Sequence, residues 1–140
     1  MLKRLLPPCV LVLAAGCGSI FGPDERQVVG VIEGFGTDAP AVAMPASAQA
    51  GQDFTIEIRT TWPNGCARKD ETVVRQKGST VTVTPYDVVT EGGACSQAPQ
   101  QFTHTATLRF SQPGPVQVVV QGRASLNAAV GVVTREVTVR

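Results

Sequence analysis

From about residue 50 onward the chain alternates apolar and polar side chains with a period of two. Phe54, Ile56 and Ile58 alternate with Thr55, Glu57 and Arg59, and Val81 and Val83 with Thr80, Thr82 and Thr84. Phe102, Ala106, Leu108 and Phe110 alternate with Thr103, Thr105, Thr107 and Arg109; Val116, Val118 and Val120 follow, and Val137 and Val139 close the chain. Successive side chains of a strand point to opposite faces, so this pattern builds sheets with one buried face. Residue choice agrees. Valine and threonine make up a quarter of the sequence, while five of the seven leucines lie within the first 13 residues. β-Branched residues favour pleated backbone over helix. The spacing predicts seven or eight strands near 26–36, 41–44, 52–62, 71–77, 79–87, 102–110, 116–124 and 132–140. Pro63-Asn64-Gly65, Gly92-Gly93 and Gln112-Pro113-Gly114-Pro115 supply the turns.

Short alternating strands with regular turns predict an all-β, antiparallel β-sandwich. The stretch Ala50-Gly51-Gln52-Asp53-Phe54-Thr55-Ile56, in which a glycine turn opens a core strand, resembles bacterial immunoglobulin-like modules. So does Pro113-Gly114-Pro115-Val116-Gln117-Val118, a Pro-Gly turn between late strands. The resemblance covers most of 38–140 and implies an immunoglobulin-like fold without implying a function. Trp62 precedes Cys66, whereas antibody-type domains place the core tryptophan between their two bridged cysteines.

The amino terminus reads differently. Met1-Leu2-Lys3-Arg4 is a short basic segment, and the apolar run that follows it to Ala15 is shorter than the roughly 20 residues a membrane-spanning helix needs. It fits the apolar region of a secretory signal, helical in the precursor. Leu13-Ala14-Ala15-Gly16-Cys17 resembles a bacterial lipobox. That resemblance implies cleavage after Gly16 and a lipid on Cys17, palmitate included, with two or three acyl chains giving stable anchorage. Gly18 stands where an aspartate would favour the inner membrane, which implies the outer membrane in a Gram-negative cell. The expected organisation is a signal peptide at 1–16, a lipidated tether at 17–25 and one sandwich domain at 26–140.

Cysteine arithmetic supports the same compartment. With Cys9 removed and Cys17 acylated, Cys66 and Cys95 remain to pair in an oxidising environment. A bridge closing about 30 residues is worth roughly 3–4 kcal/mol on the chain-entropy model. A metal site built from both thiols and His104 needs reduced cysteines and a fourth ligand, so no metal or other cofactor is expected. Charge narrows the partners: the formal net charge is +1, and 10 basic and 11 acidic residues remain once Lys3 and Arg4 are gone. A domain so nearly neutral lacks the basic face that nucleic acid requires.

Candidate chemistry is sparse. His104 is the one histidine, and its parity with Phe102 and Ala106 turns it toward the core. A catalytic role needs a nucleophile and an orienting carboxylate beside it. Ser96 and Ser111 are near in sequence, but no Gly-x-Ser-x-Gly elbow occurs. A half-buried, hydrogen-bonded histidine is the expectation, with a modest stability loss in His104→Ala. Gly30, Gly34 and Gly36 do not match the dinucleotide fingerprint and are read as relaxing the first strand or marking a bulge. Arg68-Lys69-Asp70-Glu71 reads as a solvated loop tip, since a calcium loop needs several spaced acidic ligands. Trp62 shares the inward parity of Ile56 and Ile58 yet abuts a turn, so it either plugs the end of the sandwich or presents an aromatic anchor there.

The expected function is a lipid-anchored binding or structural module of the cell envelope, without catalysis. It would be held to the membrane by Cys17 and would engage an envelope protein or a surface polymer. The alternative is a small envelope hydrolase or protease-inhibitor-like module, which would bring His104, a carboxylate and a hydroxyl together in a cleft. The turn at 63–65 and the loop at 92–100, stapled by Cys66 and Cys95, are expected to meet at one pole. Trp62, Asn64, Arg68 and Gln97 are the candidate partner contacts there, because loops on a rigid sandwich carry recognition.

Overall fold

The computed structural model describes residues 24–36 and 38–140. The expected signal peptide, the precursor helix and Cys17 lie outside the described residues. Nine strands occur: β1 (Asp24–Val29), β2 (Val42–Ala43), β3 (Ser47–Ala48), β4 (Asp53–Trp62), β5 (Ala67–Lys77), β6 (Thr80–Glu91), β7 (Gln100–Arg109), β8 (Gly114–Gly122) and β9 (Gly131–Val139), with no helix among the described residues. They form two sheets. One has the order β1-β6-β8-β9-β3, with β5 also on β6, and the other is β2-β4-β7. The expected β-sandwich is therefore present. Each of the eight expected strands has a counterpart, and the two-residue β3 is the addition.

Alternation places the core. On β4 and β7 the buried positions are Ile56, Ile58, Thr60, Trp62, His104, Ala106 and Leu108. Opposite them stand Val81 and Val83 of β6, Val118 and Val120 of β8, and Val137 of β9. Apolar packing fills the middle of the sandwich. Toward the ends of β4 and β6 it gives way to buried Thr60, Asp87 and His104.

Three features depart from the sequence reading. The ladders are mixed rather than purely antiparallel: β6–β8 and β3–β9 run parallel. After β6 the chain crosses to the other sheet as β7, so β8 returns to the first sheet in the direction of β6. The first strand ends at Val29 instead of continuing to 36. Gly34 and Gly36 sit at φ of 65° and 117° in a turn, a left-handed conformation open to glycine. Beyond β1, Val31 bridges Arg123 and Ile32 bridges Thr60, which carries the chain from one sheet to the other. Asp24 and Glu25, placed in the tether by sequence, are the first residues of β1 and pair with Glu91 and Thr90.

The polar quartet at 68–71 is also not a loop tip, because it lies within β5. The β5–β6 register shifts between Lys69 and Thr72, opposite Pro85. Proline has no N–H for a ladder, and central strands accommodate it at bulges. Pro85 is fully buried, and its carbonyl accepts the Gly30 N–H at 2.9 Å on the other side of β6.

Candidate functional site

The two poles are set by strand direction. β4 and β6 end, and β5 and β7 begin, at the pole carrying Cys66 and Cys95; the β5–β6 and β7–β8 turns occupy the other. The Cys66–Cys95 disulfide is formed, with Cα atoms 5.1 Å apart. Around it the Gly65 N–H donates to Ser96 O at 2.9 Å, and the Thr90 N–H to Cys66 O at 2.8 Å. The turn at 63–65 and the 92–99 loop thus meet, as their cysteines predict.

The four candidate contacts are not equivalent. Asn64 turns its Oδ1 back to accept the Cys66 N–H at 3.0 Å, holding its own turn. Arg68 is exposed and pairs with Glu25 at 2.9 Å, and Gln97 is exposed. Trp62 is 6% exposed and takes the plugging position instead of presenting an anchor. One edge of it still faces a shallow cleft of about 190 Å³ lined by Arg26, Val89 and Arg123 among others.

Beneath Trp62 lies the feature sequence reasoning missed. The indole Nε1–H donates to Asp87 Oδ2 at 2.9 Å. The other carboxylate oxygen, Oδ1, lies 2.9 Å from His104 Nε2, and His104 Nδ1 lies 3.0 Å from Thr72 Oγ1. One proton arrangement satisfies the whole row: Thr72 O–H donates to Nδ1, and Nε2–H donates to a carboxylate. Asp87 and His104 are both 0% exposed and belong to facing sheets. The row therefore crosses the core from β5 through β7 to β6 and back to Trp62 of β4. Each strand supplies its part for a local reason. Inward parity delivers His104 beside Ile58, its register partner, and delivers Asp87 two places after Pro85. The bulge at 69–72 re-aims Thr72. Gly30 packs against the row, where a Cβ would collide with Thr60 Cγ2 and lie 3.2 Å from Asp87 Oδ2.

A hydroxyl, an imidazole and a carboxylate in sequence are the parts of a nucleophilic relay. The parts also need an opening at which a substrate atom can sit about 3 Å from the hydroxyl. Neither described cleft is lined by Thr72, His104 or Asp87. Ser96 and Ser111 take no part in the row: Ser96 belongs to the disulfide loop and Ser111 to the opposite pole. Among the described residues no cluster of three or more His, Cys, Asp or Glu residues could hold a metal. The partners of His104 had one sequence signal, a carboxylate at an inward position of the Val81-Val83-Pro85 row. Thr72 had none, because a bulge shifts parity.

A family model of the ORF11 beta-sandwich domain matches residues 56–130, more than half of the chain. The chain belongs to the ORF11 beta-sandwich domain family. The matched part of this ORF11 domain encloses the disulfide and all four members of the Trp62–Asp87–His104–Thr72 row, with β1 before it and β9 after it. No curated protein and no solved structure matches the chain.

Proposed function

We propose that this protein is an exported, lipid-anchored module of the cell envelope that binds a partner or contributes to envelope architecture, and that it is not an enzyme. The observation that carries the non-catalytic half is the complete burial of His104 and Asp87. Their hydrogen bonds are spent on joining the two sheets. The alternative, a small envelope hydrolase, has the Thr72–His104–Asp87 order and the partial exposure of Thr72 in its favour, yet neither described cleft is lined by these residues.

The anchored half rests on the sequence Leu13-Ala14-Ala15-Gly16-Cys17. It places a lipid on Cys17, removes 1–16, and locates the protein in the cell envelope, at the outer membrane of a Gram-negative cell. Asp24 lies seven positions after Cys17, a reach of at most about 25 Å. Because Asp24 pairs with Glu91, the chain enters the sandwich at the disulfide pole. With the anchor in place, Asn64, Arg68 and Gln97 face the bilayer surface and would meet a partner held there. That partner is an envelope protein or a surface polymer, not nucleic acid.

Intact-mass spectrometry of the protein extracted from its native membrane tests the anchor. The expected species begins at Cys17 and carries two or three acyl chains. A retained leader or an unmodified Cys17 refutes it.

A further inference from the structure

The pole opposite the disulfide carries a cleft that nothing above employs. It opens between the β5–β6 turn and the β7–β8 turn and encloses about 320 Å³. That lies at the small end of volumes that hold low-molecular-weight ligands. No ionisable side chain lines it. Its polar groups include the hydroxyls of Ser79 and Ser111 and the amide of Gln112, and Phe110, Pro113 and Pro115 supply apolar surface.

We propose that this cleft binds an uncharged sugar unit of an envelope polysaccharide. The proposal deepens the reading of the protein as an envelope binding module by naming a ligand class. A charged ligand would lose hydration on entering and find no opposite charge in return. Hydroxyl and side-chain amide groups each donate and accept, which is what a ring of ligand hydroxyls requires. The proline rings offer apolar surface to the C–H face of a pyranose. A peptide added as a strand would need backbone N–H groups along the turn into β8, and Pro113 and Pro115 have none.

The walls are fixed before any ligand arrives. Phe110 is buried and stacks on Phe54 with ring centroids 5.8 Å apart. The Gly51 N–H donates to Phe110 O at 2.7 Å, and the Gln117 N–H to Ser79 O at 2.9 Å. Little ordering is then left for binding to impose. Since β1 starts at the other pole, the cleft also points away from an anchored surface, toward polymer.

The test is amide-resolved NMR of the isotope-labelled full chain in detergent, titrated to millimolar concentration with maltohexaose, chitohexaose, mannohexaose and, separately, anionic oligogalacturonate. Shifts at Ser79, Ser111, Gln112 and Gly114 with at least one uncharged oligosaccharide, and none with oligogalacturonate, are expected. Ser111→Trp, an exposed position that fills the mouth, should abolish them. Gln112→Ala should weaken binding about fivefold, the worth of one hydrogen bond. The proposal is overturned if no uncharged oligosaccharide moves those amides, if oligogalacturonate moves them equally, or if both variants bind like the parent. The titration reads the cleft whether or not Cys17 carries lipid. A mass spectrum of the same preparation reads the anchor, so the two ideas fail separately.

Discussion

Replacing His104 by alanine removes the middle of the row and leaves the buried Asp87 carboxylate with one of its two donors. Asp87 Oδ1 loses the donor 2.9 Å away, and the Thr72 hydroxyl loses its partner at 3.0 Å. A hydrogen bond to a charged group contributes about 1.5–3 kcal/mol, and leaving a buried acceptor without its donor costs about 1–3 kcal/mol of desolvation, more when the acceptor is charged. The volume of the lost ring, in a site with no exposure, adds to this. The expected loss is therefore about 4 kcal/mol, well above the modest cost expected of a half-buried histidine. Against a net stability of about 5–15 kcal/mol for a single domain, that is a large fraction. Equilibrium urea unfolding with the disulfide intact measures it. With a slope of about 2 kcal/mol/M, the midpoint should fall by about 2 M at unchanged slope. His104→Ala and Asp87→Ala break the same bond, so the double variant should fall short of additivity by about 1–3 kcal/mol. A loss under about 1 kcal/mol for His104→Ala, or additivity within about 0.5 kcal/mol, refutes the interpretation of the row as a link between the sheets.

Thr60 Oγ1 is buried and has no hydrogen-bond partner among the described residues. Thr60→Val keeps the shape and removes that hydroxyl, so thermal unfolding should occur at the same temperature or up to about 4 °C higher. A clear fall would mean that the hydroxyl has a partner. Replacing both Cys66 and Cys95 by alanine should lower stability by roughly 3–4 kcal/mol in the same urea assay, from the greater freedom of the unfolded chain. Unchanged stability would show that the 63–66 and 92–99 segments hold together without the bridge.

The period-two alternation already determines which side chains of β4, β7 and β8 face inward, because the pleat is a local property of extended backbone. The inward row Ile56-Ile58-Thr60-Trp62 and its partner row Ala106-His104 can both be read before any pairing is known. The turns follow equally from Pro63-Asn64-Gly65 and Pro113-Gly114-Pro115, and the cysteine count foretells the bridge. The 68–71 quartet could not be read this way. Its charges suggest a loop, yet Gln27 of β1, reaching across β6, accommodates Asp70 and Glu71 with bonds of 2.7 and 3.1 Å.

Which strand lies against which was decided elsewhere. The members of the buried row come from positions 62, 72, 87 and 104, on four strands in two sheets. Alternation specifies a face but says nothing of the residue across the core. The parallel pairing of β6 with β8, and with it the cleft beside their starts, arises because β7 is placed in the opposite sheet. Thr72 meets His104 because a bulge opposite a proline displaces β5 by one residue, reversing the parity that sequence would assign. Sequence alone determined most of the strands, the buried faces of β4, β7 and β8, and the staple, since these depend on neighbours a few residues away. The tertiary structure decided the partners of His104, the burial of Trp62 and the pole at which the chain enters, since these depend on how the two sheets are stacked.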